Sequence, residues 1–253
     1  MGGFVKRRDR PVPGSIPDVL QMFQAEVRFY REIAPHVGLR VPACYEAHDD
    51  PDGTLLVLEN VSAWQAGADP VAVASLLRDH HRRWQGEATK RWPWLRPAGA
   101  GADLIGRSYD ETWPMLASRR DLPGPVREVG ERLVGRLSEA ELAEAGSGSP
   151  TLIHGDASLA NMRTSHDGTI LFLDWEDVRA AAGAVDLAWL LVSSVEPDRW
   201  NNVIAAYGDV TDLVDVLPSA IGQGLFALAD KVEDSEDAAG WVARLAAAAE
   251  RLD

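Results

Sequence analysis

Two hydrophobic periods divide the chain. Residues 3–8, "GFVKRR", and 54–60, "TLLVLEN", carry apolar side chains at strand spacing, and "SIPDVLQMFQAEVRFYREI" between them carries them at helical spacing. Ser15 stands where an N-cap belongs, and Asp18 three residues later closes a capping box. Strand, helix and strand therefore account for the first sixty residues. From Asp69 the period is helical in "DPVAVASLLRDHHRRWQ", "ADLIGRSYDETWPMLASRR" and "GPVREVGERLVGRLSEAELAEA". A Gly/Ser/Pro break, "AGSGSP", interrupts it and introduces "TLIHGDASLANM", which opens on a strand-like run. In "NMRTSHDGTILFLDW" Asp167-Gly168 separates two extended runs, a hairpin signature. Helices fill the remainder, with no internal repeat or low-complexity tract.

Composition narrows the function classes. With 253 residues the chain can bury a substantial core, as one large domain or two small lobes. Thirty-nine acidic residues against 25 Lys and Arg give a formal charge of −14, which argues against nucleic acid or an anionic lipid surface as partner. Cationic or neutral small molecules fit better, although an acidic surface also serves solubility alone. Cys44 is the only cysteine, so an internal disulfide and a thiolate metal cluster are excluded and a cytoplasmic location is expected. No apolar stretch follows the basic residues of "MGGFVKRRDRP", and "VDLAWLLVSSV" is too short to span a bilayer. "MGGFVK" also lacks the Ser or Thr that myristoylation requires at position 6.

The hairpin carries the chemistry. Asp156 and Asn161 lie on the loop into its first strand and Asp174 ends its second, so antiparallel pairing brings Asn161 and Asp174 together. A carboxylate and an amide suit a hard divalent cation that also holds phosphate oxygens, normally Mg²⁺. Asp156 is then left to orient and deprotonate an attacking hydroxyl, the division of labour that phosphoryl transfer needs. His154 shares this catalytic loop, as its organiser more than as an acid or base. Upstream, Phe23, Val27 and Tyr30 form an apolar stripe with Glu26 on the same face, and a carboxylate there needs a cation. Lys6 is the candidate; otherwise Glu26 snorkels at the helix flank and Lys6 is one of several terminal cations. Asp186 opens an apolar helix and reads equally as an N-cap. A metal-dependent hydrolase built on His154 and Asp156 would need further ligands at paired spacings. His36, His48 and His166 are scattered, and His80 and His81 point to different sides of a helix, with His81 and Trp84 on a packed face.

"HGDASLAN" followed by "FLDWEDVRAAAGAVDLAWLL" resembles the catalytic core of the aminoglycoside phosphotransferase and choline-kinase-like families. At average residue usage His-Gly-Asp-x4-Asn arises by chance in a chain of this length about once in a thousand. The resemblance implies a two-lobed, protein-kinase-like α+β fold, with a reduced nucleotide lobe over residues 1–61 and a mainly helical lobe over residues 62–253. It makes Asp156 the catalytic base, Asn161 and Asp174 metal ligands, and Asp186 the anchor of the loop from below, with Glu176 an added contact. Lys6 and Glu26 resemble the couple that holds the α- and β-phosphates of ATP, and "LLVLEN" resembles the hinge, Leu58 to Asn60 meeting adenine. "EVRFY" with "VPACYE" is similar to the ecdysteroid-kinase-like branch in particular.

The implied activity is ATP-dependent phosphorylation of a small-molecule hydroxyl, aminoglycoside-like or another alcohol, with ATP and Mg²⁺ as cofactors. In the aminoglycoside-modifying relatives an acidic cleft binds amino groups. "DVTDLVD" and "DKVEDSED", with Asp230, Glu233 and Asp234, could supply such carboxylates or could be ordinary solvated helix ends. Five residues precede Lys6, where the family pattern has two strands and a Gly-rich loop. The expectation is either an earlier start or a clipped nucleotide lobe with weak or absent ATP use, the latter a non-catalytic binding or regulatory relative.

Overall fold

In the computed structural model, which describes residues 2–143, 146–208 and 210–252, the first sheet is antiparallel. It comprises β1 (Phe4–Asp9), β2 (Cys44–Asp50) and β3 (Gly53–Leu58) in the order β1-β3-β2, with Lys6 opposite Leu56 and Phe4 opposite Leu58. The central place of β3 explains its apolar run: Leu56 and Leu58 are buried between two partners. The sequence pattern missed β2 because "CYEAHDD" is largely exposed, as an edge strand allows.

The helical period between β1 and β2 is correct in kind and wrong in continuity. α1 (Ile16–Val19) and α2 (Met22–Arg28) are separated at Gln21, whose φ of 50° is left-handed. The expected capping box does not form. A turn that donates Ser15 N to Val12 O at 3.0 Å presents Gly14 N to Asp18 Oδ2, at 2.8 Å, and the Ser15 side chain caps nothing. After Arg28 the helix widens into a π-turn over Phe29–Ile33, closed by Ala34 N to Phe29 O at 2.8 Å. The wider turn changes which residues face inward. Val27, Phe29, Tyr30 and Ile33 are buried, whereas Phe23 is only partly covered and lies under the Arg8 guanidinium. Phe29 stacks on Trp175 at 4.1 Å and 7°, which fastens this helix to the segment after Asp174.

The rest is mainly helical. β4 (Gln65–Ala66) leads into α3 (Pro70–Trp84), capped by the Asp69 side chain on Ala72 N. α4 (Ala88–Arg91), β5 (Arg96–Pro97), α5 (Ala102–Ala117), α6 (Gly124–Leu133) and α7 (Leu137–Ala143) follow. The period over 124–145 predicts one helix, but Gly135, at φ 68°, turns the chain between α6 and α7; residues 144 and 145 lie outside the described residues. Next come β6 (Thr151–Ile153), β7 (Met162–Thr164), β8 (Ile170–Phe172) and β9 (Arg179–Ala181). α8 (Gly183–Ser194), α9 (Trp200–Tyr207), α10 (Leu213–Ala229) and α11 (Glu236–Ala249) complete the chain.

The hairpin forms as expected, Met162 opposite Phe172 and Thr164 opposite Ile170, and β4 extends it to the order β4-β7-β8. A third sheet, β5-β9-β6, buries β6 and β9 entirely. Fully buried Leu77, Leu190, Leu191, Ile221 and Leu225 tie α3, α8 and α10 into one core beneath the hairpin. The architecture is the expected mixed α+β, kinase-like one. Among the described residues no helix is long and apolar enough to cross a membrane.

Candidate active site

His154, Gly155 and Asp156 follow β6 directly. Gly155 has φ 87°, and a Cβ on it would lie 2.2 Å from Asp177 O, so only glycine lets the loop pass this close. Asp186, in the first turn of α8 and wholly buried, holds the loop from below. Its Oδ2 accepts His154 N at 2.8 Å and its Oδ1 accepts Gly155 N at 2.9 Å, while His81 Nε2 lies 3.0 Å from Oδ2. The N-cap position belongs to Ala182, so the loop is the target of this carboxylate. Burial pushes the Asp186 carboxyl up, but the hydrogen bond and charge of His81, with His154, outweigh it and hold the group at about 2. The other ring nitrogen of His81 meets the Tyr207 hydroxyl at 2.7 Å. His154 is buried, donates Nε2–H to Leu173 O at 2.7 Å and accepts Asp156 N on Nδ1 at 3.2 Å. Both ring nitrogens are thus committed to backbone.

Asp156 itself is partly exposed. Its Oδ2 accepts Asn161 Nδ2 at 2.8 Å and its Oδ1 accepts the indole N–H of Trp189. The second N–H of Asn161 goes to Asp156 O at 3.1 Å, which leaves the amide oxygen to face a ligand. Leu173 N donates to Asn161 O at 2.8 Å, bringing Asn161 beside the residue that precedes Asp174. Asp174 lies two residues past β8 and is not the last residue of a strand: its φ of 59° and ψ of 66° are left-handed.

Lys6 joins the two halves of the site. Its ammonium lies 2.8 Å from Glu26 Oε1, 2.7 Å from Glu26 Oε2 and 2.7 Å from Asp174 Oδ1. The pairing of Lys6 with a carboxylate on the apolar helix face is therefore present, and Glu26 is 2% exposed. Burial pushes the Glu26 carboxyl up, against the opposing charge of Lys6. At Asp174 burial acts the same way, but the charge and hydrogen bond of Lys6, then Arg8, prevail and hold it below the usual carboxylate range. Arg8 also binds Glu176, whose carboxyl is raised by burial and by Asp174. Glu26, Asp174 and Glu176 present carboxylate oxygens within 4.8 Å of one another. Such oxygens, with the amide oxygen of Asn161, are the donor type a hard divalent cation takes.

A cleft of about 370 Å³ gathers these groups. Lys6, Glu26, Leu58, Asn60, Asn161 and Asp174 all line it, with Tyr30 at its wall. Asp156 is attached to it through Asn161, and His154 stands behind in the core. Four contributors escaped the sequence reading: Arg8, His81, Trp189 and Tyr207. Arg8 alternates in phase with Lys6 on β1, a signal that was present; the others meet the loop only through tertiary packing. In the second acidic segment, Glu233 and Asp234 are engaged by Arg120. Arg120 donates to Glu233 Oε1 through its backbone N at 2.8 Å and its Nε at 2.9 Å, and its Nη2 lies 3.4 Å from Asp234 Oδ2.

Residues 4–218 match the model of a family described as the phosphotransferase enzyme family. The chain belongs to that family. Among solved structures, this phosphotransferase-family chain is similar to an aminoglycoside phosphotransferase, APH(3'')-Id, from Streptomyces rimosus in complex with ADP and streptomycin. Identity is 18%, the TM-score 0.59, and 88% of this chain and 86% of that one are covered. Choline kinase LicA from Streptococcus pneumoniae is similar at 14% identity and TM-score 0.56, over 92% of this chain and 80% of that one. Spectinomycin phosphotransferase APH(9)-Ia, in complex with ADP and spectinomycin, gives 14% and 0.53, over 98% and 86%. At these identities the likeness is one of fold. Comparison by sequence with curated proteins gives no match.

Proposed function

We propose that this family member transfers the γ-phosphoryl group of ATP to a hydroxyl of a small molecule. One observation carries the reading: Asp156 is hydrogen-bonded to Asn161, which lines the same cleft as Lys6, Glu26 and Asp174. A proton acceptor, a pair of oxygen donors and a buried-pair cation thus meet at one opening.

In the reaction, residues up to about Val61 bind the nucleotide, with the backbone of Leu58 to Asn60 against adenine and Lys6, oriented by Glu26, on phosphate oxygens. Asn161 and Asp174 are the residues suited to hold Mg²⁺, which when bound neutralises phosphate charge. The acceptor approaches from the helical side, and Asp156 accepts its hydroxyl proton as the oxygen attacks. A new O–P bond forms, the bond from the γ-phosphorus to the β,γ-bridging oxygen breaks, and ADP leaves with that electron pair. Asp186, His81 and His154 hold the loop in place throughout.

The complexes with streptomycin and spectinomycin, and the choline kinase, motivate the acceptor panel: aminoglycosides, an aminocyclitol, amino alcohols and neutral alcohols. The lone Cys44 is consistent with a cytoplasmic enzyme. Calorimetric titration with Mg·ATP, followed by assay of the panel for ADP release, tests the reading. Binding that Asp174→Ala weakens more than Asn161→Ala supports it, a charged oxygen being the stronger ligand. Failure of Mg·ATP to bind would instead identify a non-catalytic relative.

A further inference from the structure

Three positions on α8 reach the catalytic loop from one side of the helix. Asp186 takes the backbone N–H groups of His154 and Gly155, Trp189 donates to the Asp156 carboxylate, and Ser194 Oγ accepts Leu159 N at 2.9 Å. Residues three and eight places after Asp186 fall on the same broad face, so the helix acts as a template along the loop. Trp189 is the one of the three that touches the reactive group. Its ring is backed by Trp241, at 6.0 Å and 45°, and Trp241 in turn carries the Arg244 guanidinium at 5.1 Å, fixed by Arg244 Nε on Val192 O at 3.0 Å. The indole has little freedom to turn away.

We infer that Trp189 is a positioning residue for the base: its N–H, acting with Asn161, fixes the plane of the Asp156 carboxylate. A carboxylate pivots about the Cβ–Cγ bond with a broad, shallow torsional preference, so one hydrogen bond alone leaves it free to rock. Two donors on different oxygens, Asn161 on Oδ2 and Trp189 on Oδ1, remove that freedom. They also decide which lone pairs remain for the acceptor hydroxyl. Misplacement of a catalytic group by about 1 Å can cost a hundredfold in rate. The inference rests on the transfer reaction proposed above, and the indole N–H is its working part; the ring serves as packing.

The test separates N–H from ring. Replacing Trp189 with β-(3-benzothienyl)alanine exchanges N–H for sulfur in a ring of nearly equal size, and Trp189→Phe is the genetically simple companion. With Mg·ATP and the best alcohol of the panel, or water if none turns over, the isostere should lower kcat about tenfold to a hundredfold. KM for Mg·ATP and Tm should stay unchanged. Unchanged kcat in the isostere overturns the inference. A second readout does not depend on turnover, so that an inactive wild type, which would sink the proposed reaction, leaves this question answerable. The side-chain amide protons of Asn161, followed by ¹⁵N NMR, are held on Asp156 in the wild type. In the isostere they should broaden and exchange faster while the remaining spectrum is preserved. Identical Asn161 amide signals in both proteins would show that Trp189 merely packs.

Discussion

The two carboxylates at the ends of the site, Asp186 and Asp174, are held in opposite ways. Asp186 is fully buried and bound by two backbone N–H groups and a histidine, none of which a ligand can displace. Asp174 is partly exposed and bound by the side-chain ends of Lys6 and Arg8. The first arrangement is a fixture and the second an exchangeable pairing, since phosphate or a cation can replace either partner. On the proposed reading the base is held rigidly and the phosphate side is adaptable, and substitutions should divide accordingly.

The largest effect belongs to Asp156→Asn, which deletes the proposed proton acceptor with little change of shape. Turnover should fall about a thousandfold, within the range general bases contribute. Tm should hold, and comparison of kcat with the thermal melt checks both. Next comes Asp186→Ala, which strips two backbone N–H groups and His81 of their partner inside the core. A stability loss of about 3–5 kcal/mol in urea unfolding is expected, as for other broken buried pairs. Lys6→Met should behave in the opposite sense. Mg·ATP affinity drops at least tenfold in titration while stability falls less than in Asp186→Ala, because Glu26, its carboxyl already raised, can take up a proton once its partner is gone. If Lys6→Met unfolds the protein and Asp186→Ala does not, the contrast between fixture and exchangeable pair is wrong.

Beside the fixture, His80 offers a pH test. Burial, reinforced by His81, lowers it to about 3, so the folded state excludes a proton that the unfolded chain accepts below about 6.5. Stability is therefore complete above pH 6.5 and declines as pH falls toward 3, by about 1.4 kcal/mol per unit. Between pH 6.5 and 4.5 His80→Gln should flatten the slope of Tm against pH, the raised Glu26 and Glu176 carboxyls contributing alike to both proteins. The smallest effect is expected at the acidic C-terminal segment. Neutralising Asp230, Glu233 and Asp234 together should leave Tm nearly unchanged, since exposed ion pairs contribute little. It should leave acceptor affinity equally salt-dependent, because Arg120 already faces two of the three carboxylates.

What could be read from the sequence was local or periodic. His154, Asp156 and Asn161 lie on one short segment after β6 and Asp174 two residues past the hairpin, so spacing brought them together even though Asp174 does not end the strand. Glu26 betrayed its partner by sitting on an apolar stripe. Trp189, His81 and Tyr207 gave no such sign, since an indole, an imidazole and a phenol on helices read as ordinary packing until the helices are docked. The π-turn at Phe29 was equally invisible: it adds one residue to a turn without changing which residue types the helix contains. The pairing in the acidic segment was hidden for the same reason, Arg120 lying 113 residues from Glu233.

The Lys6–Asp174 contact closes a loop of 168 residues, and that span bears on how the molecule is assembled. Such distant contacts pay their loop-closure entropy late, so the order of events should run from the local sheet β1-β3-β2 and the helical core toward their docking. During synthesis β1 emerges long before Asp174 exists to meet it. Competence for phosphate would then be the last property acquired, and refolding monitored by nucleotide binding should lag behind refolding monitored by tryptophan fluorescence.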